Sequence, residues 1–336
     1  MLSRVADSLY WMGRYIERAE NTARLLDVNL QLLIDFSGFP EEDTASFWSA
    51  VVESCGDMDL FKELYDEATS ETVTDFLTFN LGNGNSILAS VFAARENARM
   101  IRDQISLEMW ECINELYHYV REGASSEVWR TDVYDFFEQV KSYSHRFQGL
   151  TEATFVHDEG FTYLQLGKYL ERADQTSRIM DLKYFMILPP GAEVGGEVDI
   201  AGWIAVLRSC SGLDAFHRQY VGEVQARNVA EFLVLSRPFP RSMRFCLRLI
   251  DQNIRAIAGT PEGLFTNEPE QLAGRLRSEV VYTSVDEIIR EGLHQYLDRL
   301  QRRLIDIHQS LYRTFFELPQ IDIAEEIQHQ QAQMQQ

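Results

Sequence analysis

Residues Gly13 to Asp27 (GRYIERAENTARLLD) return 154 positions later as Gly167 to Asp181 (GKYLERADQTSRIMD); eight of the fifteen pairs are identical and the other seven keep their chemical type. At a shift of 155, Trp48 to Tyr65 matches Trp203 to Tyr220, again with eight identities, Ser54-Cys55 against Ser209-Cys210 among them. One more residue of drift lays Val73, Phe76, Leu77, Ser86, Asn97, Arg99 and Ile101 on Val229, Phe232, Leu233, Ser242, Asn253, Arg255 and Ile257. Self-similarity over most of a chain implies one structural unit used twice. The copies meet near residue 155, where Thr154 to Gly160 (TFVHDEG) breaks the periodicity in a stretch too short and too apolar for a flexible linker. The expected organisation is therefore a first helical repeat over 1–154 and a second over 155–318, packed together as one compact unit. A Gln-rich tail over 319–336 is expected to be disordered.

The repeated unit reads as helical. Only 8 prolines occur in 336 residues, and glycines cluster in a few short stretches instead of punctuating the chain evenly as turns of a β protein would. Apolar periodicity and stop signals predict helices over 4–35 (stopped by Ser37-Gly38 and Pro40), 42–55, 58–67 and 70–80. A long helix follows from a Ser86 cap to about residue 121, then others at 125–150, 159–187 and 279–317, the last continuous. Gly82-Asn83-Gly84-Asn85, Pro189-Pro190-Gly191 and Arg237-Pro238-Phe239-Pro240 read as loops, with Ser242 capping the helix after the last. The fold class is all-α, with two pseudo-symmetric helical-bundle halves.

Charge narrows the partners. The net charge of −21, from 31 Lys and Arg against 52 Asp and Glu, repels phosphate backbones and anionic lipid, so neither nucleic acid nor a membrane surface is an expected partner. Met1 to Trp11 lacks the features of a signal peptide, and no apolar run approaches the ~20 residues of a bilayer span, which points to the cytoplasm. The four cysteines, Cys55, Cys112, Cys210 and Cys246, are far apart and form no Cys-x-x-Cys, so they read as small buried hydrophobes.

At 100° per residue, Met12, Tyr15, Ile16, Ala19, Ala23, Leu26, Leu30 and Leu33 share one arc of the first helix and read as its core face. Opposite lie Gly13, Glu17, Glu20, Asn21, Arg24 and Asp27; the second copy repeats this with Gly167, Glu171, Asp174, Gln175, Arg178 and Asp181. A solvated face with Glu20–Arg24 and Asp174–Arg178 pairs at i,i+4 would be worth only about 0.3–0.5 kcal/mol per pair. Such a face has no reason to keep Glu, Arg and Asp identical in two copies. Glycine in a helix interior costs roughly 0.5–1 kcal/mol, so its place one turn before each Glu implies that something approaches the backbone there. A buried polar layer or site is the expectation, comprising Gly13, Glu17, Arg18, Asn21, Arg24, Gly167, Glu171, Arg172 and Arg178. The helix after Ser86 offers Arg95, Asn97, Arg99 and Arg102 as a counterpart, with arginines expected to meet Glu17 or its neighbours.

The Glu-Arg helix in two copies, followed in the first by Ala94-Arg95-Glu96-Asn97-Ala98-Arg99, resembles the alpha-E family, bacterial helical proteins named for a Glu-Arg motif. The similarity runs to about residue 317. The resemblance implies association with a circularly permuted ATP-grasp ligase, which joins a carboxylate to an amine, and with transglutaminase-like cysteine peptidases. A helical companion of such a ligase could present an amino-acid or peptide substrate or cover the ligase site.

Two other chemistries fit less well. Glu115-x-x-His118 and Glu291-x-x-His294 stand at matching places and suggest a carboxylate-bridged di-metal centre, but Glu326-x-x-His329 in the tail shows how easily the pattern arises. An enzyme could instead use Glu17 and Glu171 as acid and base and the arginines to bind a carboxylate. No Walker-type loop, G-x-S-x-G or H-E-x-x-H occurs, so no cofactor or metal is expected. The preferred reading is a non-catalytic accessory subunit of an ATP-dependent amide-bond-forming system.

Overall fold

Ser86, Asp132, Asp158, Ser242, Asn267 and Ser284 each accept a backbone N–H through the side chain at the start of a helix, satisfying one of the donors that a helix leaves free. These caps divide the chain into its elements. In the computed structural model, which describes residues 1–35, 41–125, 132–186 and 193–317, every regular element is helical. In chain order these are α1 (Ser3–Asp35), α2 (Glu41–Cys55), α3 (Met58–Leu64), α4 (Ser70–Thr78), α5 (Ile87–Met100), α6 (Leu107–Ser125), α7 (Val133–Thr154) and α8 (Glu159–Phe185). They continue with α9 (Glu197–Ser209), α10 (Leu213–Gln219), α11 (Ala226–Leu235), α12 (Met243–Ala258), α13 (Glu268–Tyr282), α14 (Val285–Glu291) and α15 (Leu293–Leu311), closed by a π-helical turn, Tyr312–Phe316. The expected stop at Ser37-Gly38 and Pro40, the loop at Pro189-Pro190-Gly191 and the tail 319–336 lie outside the described residues.

Two long helices expected from periodicity are broken. The one after Ser86 ends at Met100 and restarts at Leu107, where Ser106 accepts the Met109 N–H at 3.2 Å and its hydroxyl meets Thr154 at the end of α7 at 2.8 Å. The final one is three helices beginning at Glu268, split by a Ser284–Glu287 capping box and by Gly292 at φ +101°, where residues with a side chain are strained.

At the centre α1 crosses α8. Packed on α1 are α5 and α7, and also α9 from the later part of the chain; packed on α8 are α12 and α15, and also α2 from the earlier part. Each central helix is thus flanked by three further helices. The crossing is close because Gly13 lies against the carbonyl oxygen of Leu164, and Gly167 against that of Tyr10. A Cβ on either glycine would overlap that oxygen. What approaches the bare backbone is the other Glu-Arg helix.

Candidate functional site

Glu17 and Glu171 are each about 1% exposed or less, so each carboxylate must be paired or be severely destabilised. The pairing is reciprocal. Arg172 grips Glu17 with two bonds of 2.7 Å, from Nε to Oε1 and from Nη2 to Oε2. Arg18 grips Glu171 in the same two-pronged way at 2.6 and 3.0 Å, and Arg14 Nε adds a bond to Oε2 at 2.7 Å. The Arg of each Glu-Arg pair therefore neutralises the Glu of the other, using the planar fork that matches a carboxylate.

The surroundings of the two carboxylates then differ. Beside Glu17, Arg241, placed just before α12, bonds Glu17 at 2.8 Å, Asn21 at 2.9 Å and Glu20 at 2.5 Å. Glu20 is fully buried and also receives Arg24, Ser144 at 2.9 Å and His145 at 3.1 Å. Beside Glu171 the residue just before α5 is Asn85, whose amide turns away to Asp57 at 2.8 Å. A cavity of about 150 Å³ opens there, lined by Arg14, Arg18, Thr22, Asn85, Glu171, Asp174, Gln175, Arg178 and His308, with Leu170, Leu304 and Ile305 as its apolar part.

Burial alone would push all three carboxyls up, but the arginines win. Arg172 and Arg241 hold Glu17 below the ordinary carboxylate range, Arg241 with His145 and Arg24 holds Glu20 well below it, and Arg18 and Arg14 do the same for Glu171. Burial, and after it the Arg14 charge, lowers His308 to about 4, and its Nδ1 meets the Tyr10 hydroxyl at 2.8 Å. Burial raises the Cys55 and Cys210 thiols to about 12, far from a reactive thiolate.

Of the residues singled out in the sequence, Gly13, Glu17, Arg18, Asn21, Arg24, Gly167, Glu171, Arg172 and Arg178 meet in this layer. Arg24 reaches Ser211 after α9, and Arg178 reaches the carbonyl of Cys55, the last residue of α2, at 3.3 Å. Arg95, Asn97, Arg99 and Arg102 do not join them, which corrects the expectation that these arginines meet Glu17. Arg95 bonds Asn114 and Glu96 and lies over Tyr117, Arg99 pairs with Glu96 in the exposed zone, and Arg102 lies over the Trp110 ring. Asn97 gives its carbonyl to the Ile101 N–H at the end of α5. Local partners satisfied them first. Conversely, Arg14, Glu20, Arg241, His145 and His308 were not singled out as site residues; Glu20 alone carried a signal, its place on the polar face.

The Glu-x-x-His pairs do not converge. Glu115 pairs with Arg146, Glu291 with Arg299 and His294 with Asp181, and among the described residues no group of three or more His, Cys, Asp and Glu could hold a metal ion.

Comparison with known proteins gives one family. Three uncharacterized mycobacterial proteins, one from Mycobacterium bovis and two from Mycobacterium tuberculosis strains, are each 24% identical over 325 residues, covering 92% of this chain and 35% of their own length. The chain thus spans about a third of these relatives. No solved structure matches it. The family model of Alpha-E, described as a predicted alpha-helical domain with a conserved ER motif, matches residues 1–316, a span that includes the Glu-Arg pairs of both central helices; the chain belongs to the Alpha-E family.

Proposed function

We propose that this chain is an accessory, substrate-presenting helical subunit of an ATP-dependent amide- or peptide-bond-forming system, acting beside a ligase of the ATP-grasp type and, by the same resemblance, a transglutaminase-like peptidase. The observation that carries this reading is the saturation of the two central carboxylates. A general acid or base works best when it titrates near the operating pH, whereas Glu17 and Glu171 are held as carboxylates by two arginines each. Groups so fixed bind and brace, and the bond-forming chemistry falls to another polypeptide. A second support is length: in the mycobacterial relatives the matched region is about a third of a longer chain, which fits a unit that works joined to something else. The correspondence of residue types around Glu17 and Glu171 supports an origin by internal duplication, with one copy sealed and one left open. An ATP-dependent partner implies action in the cytoplasm; among the described residues no helix is long and apolar enough to cross a membrane. The enzyme reading finds no titrating pair to rest on, and the di-metal reading no converging ligands.

The test is affinity purification of the tagged chain from native cells, with recovered proteins identified and assayed. The expected result is a co-purifying ATP-grasp ligase whose amide-forming activity falls at least tenfold without this chain. Turnover of an amino-acid substrate by the isolated chain, or a ligase indifferent to it, overturns the proposal.

A further inference from the structure

The cavity beside Glu171 is the open counterpart of a space that the protein itself fills beside Glu17. There Arg241 occupies the gap between Glu17, Glu20 and Asn21; here the facing groups are Glu171, Asp174 and Gln175, and Asn85 is too short and turned the wrong way to fill it. Glu20, Asn21 and Arg24 are buried accordingly, while Asp174, Gln175 and Arg178 keep partial exposure.

The charge of the lining selects a ligand. Within the lining three guanidiniums, Arg14, Arg18 and Arg178, stand against two carboxylates, Glu171 and Asp174, an excess of one positive charge; the Asp57 carboxyl, pushed up by burial, lies behind Asn85 and outside the lining. Glu171 already takes four bonds, from Arg14, Arg18 twice and Gln175, and Asp174 takes Arg178 at 2.8 Å. Arg14 Nη2, Arg18 Nη1 and Arg178 Nη2 have no acceptor among the described residues, and Arg14 is nine-tenths buried. Their side chains keep solvent contact, so these nitrogens are free to donate to an anion, and in a recess that excludes most water such charge-assisted bonds are strong. His308 is uncharged at neutral pH and adds nothing to the count. A monoanion balances the site, whereas a phosphate dianion would leave net negative charge beside Glu171 and Asp174. Leu170, Leu304 and Ile305 supply a wall for an aliphatic group, and about 150 Å³ is room for the end of a small molecule.

We infer that this cavity is a binding site for a carboxylate carried on a small aliphatic framework, with Arg14, Arg18 and Arg178 as the clamp. A free amino acid and a peptide C-terminus share this chemistry. The site belongs to this chain alone, so it stands or falls separately from any ligase partner.

The test is calorimetric titration of the full chain with four probes: glutamate, N-acetyl-Ala-Ala, the C-terminal amide of that peptide, and inorganic phosphate. At least one of the two carboxylate probes is expected to bind, with the peptide amide and phosphate at least tenfold weaker than the better of them. Preference between glutamate and N-acetyl-Ala-Ala separates free amino acid from peptide terminus. Asn85→Arg, which would plug the cavity as Arg241 does on the other side, and Ile305→Trp, at the half-exposed rim, should each weaken the better probe at least tenfold with helicity retained. If Asn85→Arg does not fold, the rim variant decides. Equal binding of peptide acid and amide, tighter binding of phosphate, no binding of either carboxylate probe, or full binding by folded plug and rim variants overturns the inference.

Discussion

Glu17 receives five side-chain hydrogen bonds beyond its own backbone, two from Arg172 and one each from Arg241, Asn21 and Gln148. A buried ion pair of this kind contributes little against a well-packed apolar substitute, because desolvation offsets most of the attraction, but removing one partner strands a charge and costs about 3–5 kcal/mol. Glu17→Ala and Arg172→Ala should each destabilise by about that much. The double variant should cost less than their sum by about 1–3 kcal/mol, measured by urea unfolding. A coupling near zero would mean that the exchange between the two Glu-Arg pairs is decoration. The sequence announced these residues, since identical Glu and Arg survive in both central helices, but it named the wrong partners. Arg95, Arg99 and Arg102 flank an apolar stripe and looked in need of acids, yet Glu96 one to three residues away and the rings of Trp110 and Tyr117 satisfy them. Arg241 closes a proline-containing loop 224 residues from Glu17, and no local pattern marks such a contact.

For the helices, periodicity and capping signals located the starts of α1 to α5, α8 and α12 within a few residues, as at Ser86 and Ser242, and left the other starts unplaced or displaced. Internal breaks were less visible. A stripe from Ala94 to Leu116 is consistent with one straight helix, yet the chain leaves the helix after Met100 and re-enters it at Leu107 behind Ser106, whose hydroxyl accepts the Met109 N–H and meets Thr154. On α1, amphipathicity alone distinguishes apolar from polar sides but not water from a second polar helix. Glycine supplied the missing signal. Placing Ala at Gly167 should gain about 1 kcal/mol of helix propensity, yet its methyl overlaps the Tyr10 carbonyl, which is backbone and cannot swing aside. Separating α1 from α8 would stretch the ion pairs that bridge them, so Gly167→Ala is expected to lower stability by about 1–3 kcal/mol net. Differential scanning calorimetry reads this directly; a melting temperature equal to or above that of the parent would show that the close crossing is not required. Gly84→Ala, where a Cβ meets open space, serves as the control.

The whole molecule carries −21 charges around an ion-pair layer whose open side is net positive, and acid acts on these two parts in opposite directions. Protonating surface carboxylates relieves self-repulsion and favours the compact state. Inside, the sign is reversed. His308 titrates near 4 in the folded chain against an ordinary 6.5, so between those values the unfolded chain binds a proton that the folded chain refuses, and stability falls as pH drops. Because the ring keeps some solvent contact, the loss is about 1–2 kcal/mol instead of the roughly 3 that the full shift would give. Below about 4.5, the ordinary glutamate value, Glu17, Glu20 and Glu171 add a steeper loss, since their folded pKa values are depressed and protonation dissolves the pairs with Arg172, Arg241, Arg24, Arg18 and Arg14. Urea midpoints are therefore expected to decline gently from pH 7 to 4.5 and sharply below it. His308→Asn isolates the first phase, because it removes the imidazole while leaving every carboxylate in place. In that variant the slope between pH 6.5 and 4.5 should flatten or change sign as relief of surface repulsion takes over. An unchanged slope would mean that the imidazole exchanges protons freely with water, and that the wall it forms beside Arg14 and Tyr10 is open to solvent.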